Sequence, residues 1–273
     1  MTVKMTENQI IFSGVDTLSV PLTLDCGQAF RWSEKDNGKW HGVACSKAVD
    51  ISQKEDKLII EGSFDKGDDV RWAEYFDLNR DYGKICRRLS SDSHLKTAIE
   101  TYPGIRILRQ DSWEALCSFI ISQNNNIPRI KGIVERLCAN FGEDLGNGDF
   151  SFPSAEKLAV LSVEDLAPLR SGFRAKYIID AAQKVANGEV NIDKLSVCNI
   201  DEAREELIKI KGVGAKVAEC TLLYGCGRVD AFPVDVWVRR IMSELYPEGL
   251  PECTKDVEGI AQQYLFHWRR NVE

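Results

Sequence analysis

The stretch LIKIKGVGAKVAECTLLYG, residues 207–225, decides the fold of the second half of this chain. An apolar helical segment meets Gly212 and Gly214, and a second helical segment begins directly after them. Glycine lets the backbone turn sharply and leaves N–H groups open at the start of a helix, where a phosphate oxygen can bind. The stretch therefore predicts two helices joined by a hairpin, at about residues 201–225, that grip DNA through Gly212 and Gly214. For the glycines alone, an ordinary corner between two helices is an equal alternative.

Lys216 stands in the first turn of the second helix of this hairpin. The positive end of the helix dipole disfavours a cation there, and a lysine amine that is kept neutral can attack a sugar carbon and form an imine. A lysine at such a position is otherwise more often a solvated surface charge, so the catalytic interpretation needs a partner. Asp235, in the segment AFPVDV at residues 231–236, is that candidate partner. It can stabilise positive charge on the sugar, although a plain helix cap is the alternative.

The composition is that of an ordinary globular protein, since 44% of the 273 residues are hydrophobic. The chain has neither an apolar run of about 18 residues nor a signal-peptide pattern at its start, so we expect a cytoplasmic protein, nucleoid-associated in a bacterium or archaeon. A net charge of −7 opposes general binding of polyanions, so any DNA-binding surface must be compact and local. The nine cysteines lack C-x-x-C spacing, which predicts free thiols and no iron–sulfur cluster.

Hydrophobic periodicity divides the chain into two kinds of structure. Up to about residue 65, short apolar runs predict strands of an antiparallel sheet at residues 10–12, 18–24, 40–45, 49–51 and 58–60. Hairpin turns are predicted at Asn37-Gly38, where both residues can adopt positive φ, and at residues 53–56.

From about residue 68, apolar residues recur three and four apart, which is the spacing of helices. This spacing predicts helices at residues 113–121, 128–141, 154–161, 162–169 and 174–186. The predicted fold class is α+β, with an N-terminal antiparallel sheet domain and following helices in residues 1–100. A mainly helical core that includes the hairpin occupies residues 101–273.

GVGAKVAEC at residues 212–220 and FPVDVWVRR at residues 232–240 together match the helix-hairpin-helix, Gly/Pro-rich loop and Asp signature of base-excision DNA glycosylases. Nearly the whole chain then resembles the 8-oxoguanine DNA glycosylase (Ogg) family, through CGQAFRW at 26–32, FIISQNNNIPRIKGIVERL at 119–137, SGFRAKY at 171–177 and AQQYLF at 261–266. The resemblance implies an enzyme that excises 8-oxoguanine from duplex DNA and then acts as an abasic-site lyase through a Schiff base on Lys216.

The resemblance also implies roles in recognising the flipped base. Gly27 matches a glycine whose carbonyl accepts the extra ring N–H of 8-oxoguanine, which guanine lacks. Phe266 and Cys220 match the residues on the two faces of the base, and Gln262 matches the amide that reads its Watson–Crick edge. From the residues alone, core packing is the favoured alternative for Phe266 and Cys220.

Further positions match residues that contact DNA in the family. Asn124 corresponds to the asparagine that enters the duplex, and Arg129 and Arg174 to the pair that reads the opposite cytosine, which suits the fork geometry of arginine. Phe173 occupies a wedge position that tyrosine usually fills. Trp237 stands where a phosphate-contacting histidine is familiar, and because it cannot become cationic, we expect a weaker or different contact there.

The resemblance implies no cofactor for catalysis. Backbone carbonyls of Ile208, Ile210 and Val213 would hold a structural monovalent or divalent cation at the hairpin. The expected partner is double-stranded DNA with 8-oxoguanine opposite cytosine, and we expect a monomer that does not bind membranes. Two alternatives remain: a glycosylase for other oxidised or alkylated bases, and a non-catalytic DNA-binding module.

Overall fold

A computed structural model describes residues 1–272 and confirms the predicted α+β fold. Its N-terminal sheet contains β1 (Thr2–Met5), β2 (Gln9–Ser13), β3 (Trp32–Glu34), β4 (Trp40–Ala44), β5 (Lys47–Lys54) and β6 (Lys57–Glu61). These strands pair antiparallel in the order β1-β2-β6-β5-β4-β3. A two-stranded ribbon is added further along the chain by β7 (Asp144–Gly146) and β8 (Asp149–Phe150).

Alternation of apolar residues explains why one face of the sheet is buried. Ile10 and Phe12 of β2 are buried, and they lie opposite Ile60 and Leu58 of β6, which are buried as well. Residues directly opposite each other in an antiparallel pair point to the same face, so these four side chains form one apolar patch. The strands predicted at residues 10–12, 40–45, 49–51 and 58–60 are thereby confirmed, whereas β1 and β3 were not predicted.

The predicted strand at residues 18–24 is wrong, because helix α1 (Val20–Leu24) occupies this segment. Ser19 caps the helix by accepting a hydrogen bond from the N–H of Leu22, and Pro21 lies in its first turn. Proline has no N–H to donate to a sheet, but its fixed φ suits the start of a helix. The apolar run that suggested a strand is the buried side of this short helix.

Both predicted hairpin turns form, but Asn37 and Gly38 do not both adopt positive φ. Only Gly38 does, with φ of 74°, and its N–H donates to the carbonyl of Lys35 at 2.9 Å. The N–H of Lys35 donates to the carbonyl of Lys39 at 2.8 Å, so this loop is longer than a two-residue turn. In the second turn, Glu55 has a φ of 53° between β5 and β6.

The rest of the chain is mainly helical. The helices are α2 (Asp68–Tyr75), α3 (Tyr82–Leu89), α4 (Ser93–Thr101), α5 (Ser112–Ser122), α6 (Ile127–Phe141), α7 (Ala155–Ala159), α8 (Ala175–Ala186), α9 (Ile200–Ile208), α10 (Ala215–Tyr224), α11 (Val236–Leu245) and α12 (Glu258–Val272). Short 3-10 turns lie at Ala167–Leu169, Gly172–Arg174, Ile192–Ser196 and Glu252–Thr254. Within residues 1–272, no helix combines the length and the apolar character needed to cross a bilayer.

The α-helix predicted at residues 162–169 does not form. The capping pattern that suggested it is present, since the N–H and hydroxyl of Ser162 both donate to Asp165 Oδ2 at 2.8 Å. Pro168 cannot donate the hydrogen bond that would extend the turn into an α-helix, and the segment ends at Arg170 with a φ of 54°. Only the 3-10 turn Ala167–Leu169 follows the cap.

Buried apolar residues form two clusters, one under the N-terminal sheet and one among helices α3 to α12. Helix α10 runs through the second cluster, and all of its residues from 217 to 224 are buried. It packs against α5 and α9. Only the N-terminal turn of α10 reaches the surface. Lys216 lies in this turn, at the start of a helix that the core holds in place.

Candidate active site

A cavity of about 880 Å³ opens where several helices begin or end. Its wall combines the end of α5, the asparagine loop (residues 123–126), the starts of α6, α10 and α11, and the last turns of α12. The cavity brings together eight residues singled out from the sequence: Gly27, Asn124, Phe173, Gly214, Lys216, Asp235, Trp237 and Phe266. The other candidates lie off this wall: Ile208, Ile210, Gly212, Val213, Cys220, Arg129, Arg174 and Gln262.

The predicted hairpin connects α9 to α10, and its two glycines do different things. Gly212 has a φ of 81°, and a Cβ placed there would lie 2.5 Å from the ring of Tyr177, so only glycine fits. Gly214 has extended backbone with open space around it and is the N-cap of α10. No side chain of the described residues caps α10, so the N–H groups of its first turn have no side-chain acceptor and are available to an anion.

The amine of Lys216 is held against neutral groups. Its Nζ donates to Ser122 Oγ at 3.2 Å and lies 5.1 Å from the ring centroid of Phe119. The Ser122 hydroxyl in turn donates to the carbonyl of Phe119 at 2.8 Å. Across residues 1–272 no carboxylate forms an ion pair with Lys216, so the nitrogen is oriented by α5 and not drawn away from the cavity.

Asp235 caps α11 and also faces the cavity. Its Oδ1 accepts a hydrogen bond from the N–H of Val238 at 2.8 Å, which fixes the carboxylate at the start of the helix. Its Oδ2 has no hydrogen-bond partner in the described part of the chain. The cap and the catalytic interpretation are therefore compatible, because one oxygen serves the helix and the other remains for a ligand.

Glu219 was not singled out from the sequence, although it organises this site. It is buried on α10, and it accepts a hydrogen bond from the N–H of Phe232 at 2.6 Å and pairs with Arg204 of α9. It thereby ties both hairpin helices to the loop that carries Asp235. Its partners are distant in sequence, so the only available signal was a charged residue within an otherwise apolar helix.

Of the four residues that the resemblance assigns to the base, two line the cavity and two are buried off its wall. Gly27 has a φ of 87°, and a Cβ placed on it would lie 3.7 Å from Cε1 of Phe266. Cys220 is buried beneath Lys216, and this burial raises the pKa of its thiol. Gln262 is also buried, with its Oε1 3.5 Å from Tyr224 Oη, whose hydrogen goes to Oε1 of the neighbouring Gln263 at 2.6 Å. The cavity thus exposes Gly27 and Phe266, and keeps Cys220 and Gln262 behind its wall.

Arg174 supports the asparagine loop in this structure. Its guanidinium, only 2% exposed, donates to the carbonyls of Gln123, Asn124 and Ser171. Its burial, together with the nearby Arg129, lowers the pKa of Arg174. Asn124 is exposed at the tip of the loop with a φ of 49°, and Arg129 is exposed on α6. The donors of Arg174 therefore bind the loop carbonyls, whereas the guanidinium of the exposed Arg129 makes no hydrogen bond to the described residues.

Two aromatic residues lie at the cavity rim. Phe173 is 48% exposed, and the guanidinium of Arg174 lies 4.5 Å from its ring centroid. Trp237 is partly exposed on the first turn of α11, with the guanidinium of Arg240 5.4 Å from its ring. Both rings are available for stacking against a large planar or sugar-containing ligand.

The charge of the cavity is opposite in sign to that of the whole chain. Among the described residues on its wall, Lys216, Arg239 and Arg270 are cationic and Asp235 alone is anionic. A compact positive surface on a protein with a net charge of −7 fits local binding of a phosphate backbone.

Two family models match consecutive parts of this chain. Residues 10–116 match the N-terminal domain of 8-oxoguanine DNA glycosylase. Residues 117–263 match the HhH-GPD superfamily of base excision DNA repair proteins, and this match includes the hairpin, Lys216 and Asp235.

Individual relatives and solved structures are similar to this chain over most of its length. The N-glycosylase/DNA lyase of Saccharomyces cerevisiae is 34% identical, with 82% of this chain and 67% of that protein covered. The structure of MBOgg1 in complex with a low-affinity DNA ligand has a TM-score of 0.93 and 43% identity, covering 99% of this chain and 98% of that one. The Clostridium acetobutylicum 8-oxoguanine glycosylase/lyase, in complex with double-stranded DNA containing cytosine opposite 8-oxoguanine, has a TM-score of 0.93 and 36% identity, covering 100% and 98%.

Proposed function

This chain belongs to the HhH-GPD superfamily of base excision DNA repair proteins, within the 8-oxoguanine DNA glycosylase family, and we propose that it excises 8-oxoguanine and cleaves the abasic strand through Lys216. One observation carries the assignment of residues: Lys216 and Asp235 line a single cavity together with Gly27 and Phe266. A nucleophile, a carboxylate and a base-binding surface are thereby within reach of one nucleotide.

The damaged nucleotide must leave the duplex before it can enter this cavity. Unstacking costs a few kcal/mol, which contacts with the protein have to offset. In our proposal, Asn124 fills the space left in the duplex, Phe173 wedges beside it, and Arg129 contacts the opposite cytosine. The first turn of α10 binds a backbone phosphate through its N–H groups. Phe266 then stacks on the base, and the carbonyl of Gly27 accepts its N7 hydrogen.

Lys216 supplies the nucleophile for both chemical steps. After its ammonium gives up a proton, the amine attacks the anomeric carbon and a C–N bond forms as the glycosidic bond breaks; the base leaves with the electrons of that bond and takes a proton from the attacking nitrogen. The C1′–O4′ bond then breaks, its electron pair and a proton go to O4′, and the nitrogen lone pair forms the protonated imine. Loss of a C2′ proton then expels the 3′ phosphate and cuts the strand. Asp235 stabilises positive charge on the sugar while the first bond breaks, through the oxygen that the helix cap does not use.

Partner and compartment follow from the same chemistry. The cationic wall of the cavity fits double-stranded DNA, and we propose that the protein acts where the genome lies, in the cytoplasm and associated with the nucleoid if the source is a bacterium or archaeon. Every group named for the reaction comes from one chain, so we propose that a monomer is active.

A cation at the hairpin is a separate part of the proposal. The carbonyl of Ile210 accepts the N–H of Val213 at 3.0 Å and keeps a second lone pair. Together with the carbonyls of Ile208 and Val213 it would offer neutral oxygen ligands, which suit hard cations. DNA affinity measured with K⁺, Na⁺ or Mg²⁺ at constant ionic strength tests this, and equal affinity in all three would contradict a specific site.

Single-turnover excision from an 8-oxoguanine:cytosine duplex tests the function. We expect Lys216→Gln to lower the rate by about 100-fold or more, and Asp235→Asn by about 100- to 1000-fold. Lys96→Gln removes an exposed charge on α4 outside the cavity and serves as the control. Wild-type rates for Lys216→Gln would remove the lysine from the mechanism. Release of only alkylated or other oxidised bases would support the alternative glycosylase, and DNA binding without base release would support the binding module.

A further inference from the structure

Arg270 occupies a position at the cavity that the sequence analysis did not single out. It lies on α12, one helical turn after Phe266, and its guanidinium is 6.0 Å from the ring centroid of that residue. A Cβ placed on Gly27 would lie 3.6 Å from Nη1 of Arg270. The guanidinium therefore lies next to Gly27 and Phe266, the two cavity residues assigned to the base, on the side of the cavity that Gly27 lines.

Apart from the ring of Phe266, this guanidinium has no polar partner among the described residues. Across residues 1–272, Arg270 has no hydrogen bond and no ion pair, and it is exposed. Its neighbour Arg269 differs, because Nη2 of Arg269 pairs with Glu244 at 2.5 Å. An arginine has five N–H donors in a planar fork, and those of Arg270 remain open to a ligand in the cavity.

We propose that Arg270 recognises the C8 oxygen of the damaged base, an inference that rests on the proposed function. 8-Oxoguanine differs from guanine at two adjacent atoms: N7 carries a hydrogen, and C8 carries an oxygen. The Gly27 carbonyl would accept the N7 hydrogen, so the C8 oxygen lies beside Gly27, where it needs a donor. Nη1 of Arg270, 3.6 Å from the position of a Cβ on Gly27, is the side-chain donor that the structure brings next to this residue.

The same pair of groups would reject guanine. Guanine places a lone pair on N7 against the Gly27 carbonyl, and it has a C–H at C8 that gives the guanidinium no acceptor. A site that is built to hydrogen-bond a group discriminates strongly against an analogue that lacks it, because the polar groups of the site are then left unpaired. Gly27 and Arg270 thus form a donor–acceptor pair matched to the oxidised edge.

A phosphate of the flipped nucleotide is the other anionic or polar group that a guanidinium here would bind. The position of Arg270 against Gly27 and Phe266 favours the base. The two possibilities differ experimentally, because an abasic site keeps the phosphates and lacks the base.

The test compares Arg270→Met with wild type in two single-turnover assays: excision from an 8-oxoguanine:cytosine duplex, and strand cleavage at a preformed abasic site. Methionine keeps an unbranched apolar stem and removes every donor. We expect excision to fall by about 10- to 100-fold, the usual effect of losing a hydrogen bond from a charged donor, while cleavage of the abasic site stays within about twofold. Arg270→Lys, which keeps a cation and a donor, should recover part of the excision rate.

Arg87→Met, at an exposed arginine of α3, controls for the loss of one surface charge. Wild-type excision by Arg270→Met would overturn the proposal, and so would an equal fall in both assays, which would indicate a phosphate contact. If the wild-type protein does not release 8-oxoguanine, the proposed function itself fails, and this outcome is distinct from a failure of Arg270 alone.

Discussion

Nζ of Lys216 lies 3.2 Å from Oγ of Ser122, and this hydrogen bond joins the start of α10 to the end of α5. Because the Ser122 hydroxyl donates to the carbonyl of Phe119, its oxygen is left to accept from the lysine. The amine is therefore aimed by a neutral group whose own orientation the helix fixes.

Ser122→Ala should slow excision by roughly fivefold, the typical value of one hydrogen bond, because Lys216 loses its orientation while its amine remains. Ser122→Thr keeps the hydroxyl and should recover most of the rate. Single-turnover excision measures both variants, and the affinity for the damaged duplex should change little. Equal loss in Ala and Thr variants would show that packing at Ser122, and not its hydrogen bond, is what matters.

Glu219→Gln should lower both stability and activity. The amide replaces one carboxylate oxygen with a donor, so either Arg204 or the N–H of Phe232 loses its acceptor in a buried place. Leaving a buried polar group unpaired costs about 1–3 kcal/mol. Thermal unfolding should show a lower midpoint, and excision should fall because the loop before Asp235 is released. An unchanged midpoint together with an unchanged rate would contradict this role of Glu219.

The two hairpin glycines should respond differently to alanine. Gly212→Ala places a methyl group against Tyr177 at a positive φ, so we expect a loss of at least about 1–3 kcal/mol in the free energy of unfolding. Gly214→Ala has open space and ordinary backbone angles, so its unfolding midpoint should stay near that of wild type, while DNA affinity falls because the methyl group covers the phosphate site. Chemical denaturation and DNA titration at fixed salt measure the two effects. Equal destabilisation by both substitutions would contradict the distinction.

Glu114, near the start of α5, should make stability depend on pH. Its burial raises its pKa to about 7, although Arg31 lies 3.4 Å away and opposes the shift. Since the folded state holds this proton more tightly than the unfolded state, the stabilisation is complete below the unfolded pKa and is lost as pH rises through about 7. As the pH rises from about 4.5 to 7, the free energy of unfolding of the wild type should fall by roughly 1–3 kcal/mol relative to that of Glu114→Gln. Parallel stability curves for the two proteins would rule this out.

Local patterns in the sequence predicted the parts of the molecule that depend on neighbouring residues. The hairpin follows from the glycines before α10, and the position of Asp235 follows from a capping residue after a proline-containing loop. The predicted secondary structure was wrong in two segments, for equally local reasons. Pro21 starts a helix within an apolar run, and Pro168 prevents a helix from forming after a good cap.

The contacts that complete the site connect residues far apart in the chain. Ser122 meets Lys216 across 94 residues, and Glu219 binds the N–H of Phe232 from a different element. The guanidinium of Arg270 reaches Gly27 only because α12 packs beside the segment before the sheet strand β3. Hydrophobic periodicity contains no information on which distant residues meet. The family resemblance named Gly27 and Phe266, but it assigned no role to Glu219 or Arg270.

Borohydride trapping on an 8-oxoguanine:cytosine duplex tests the central claim most directly, because reduction converts a lysine imine into a stable protein–DNA adduct. We expect an adduct with wild type on the damaged duplex, none with Lys216→Gln, and none with an undamaged duplex. Release of 8-oxoguanine by the wild type with no adduct, or an undiminished adduct with Lys216→Gln, would contradict the assignment of Lys216 as the nucleophile.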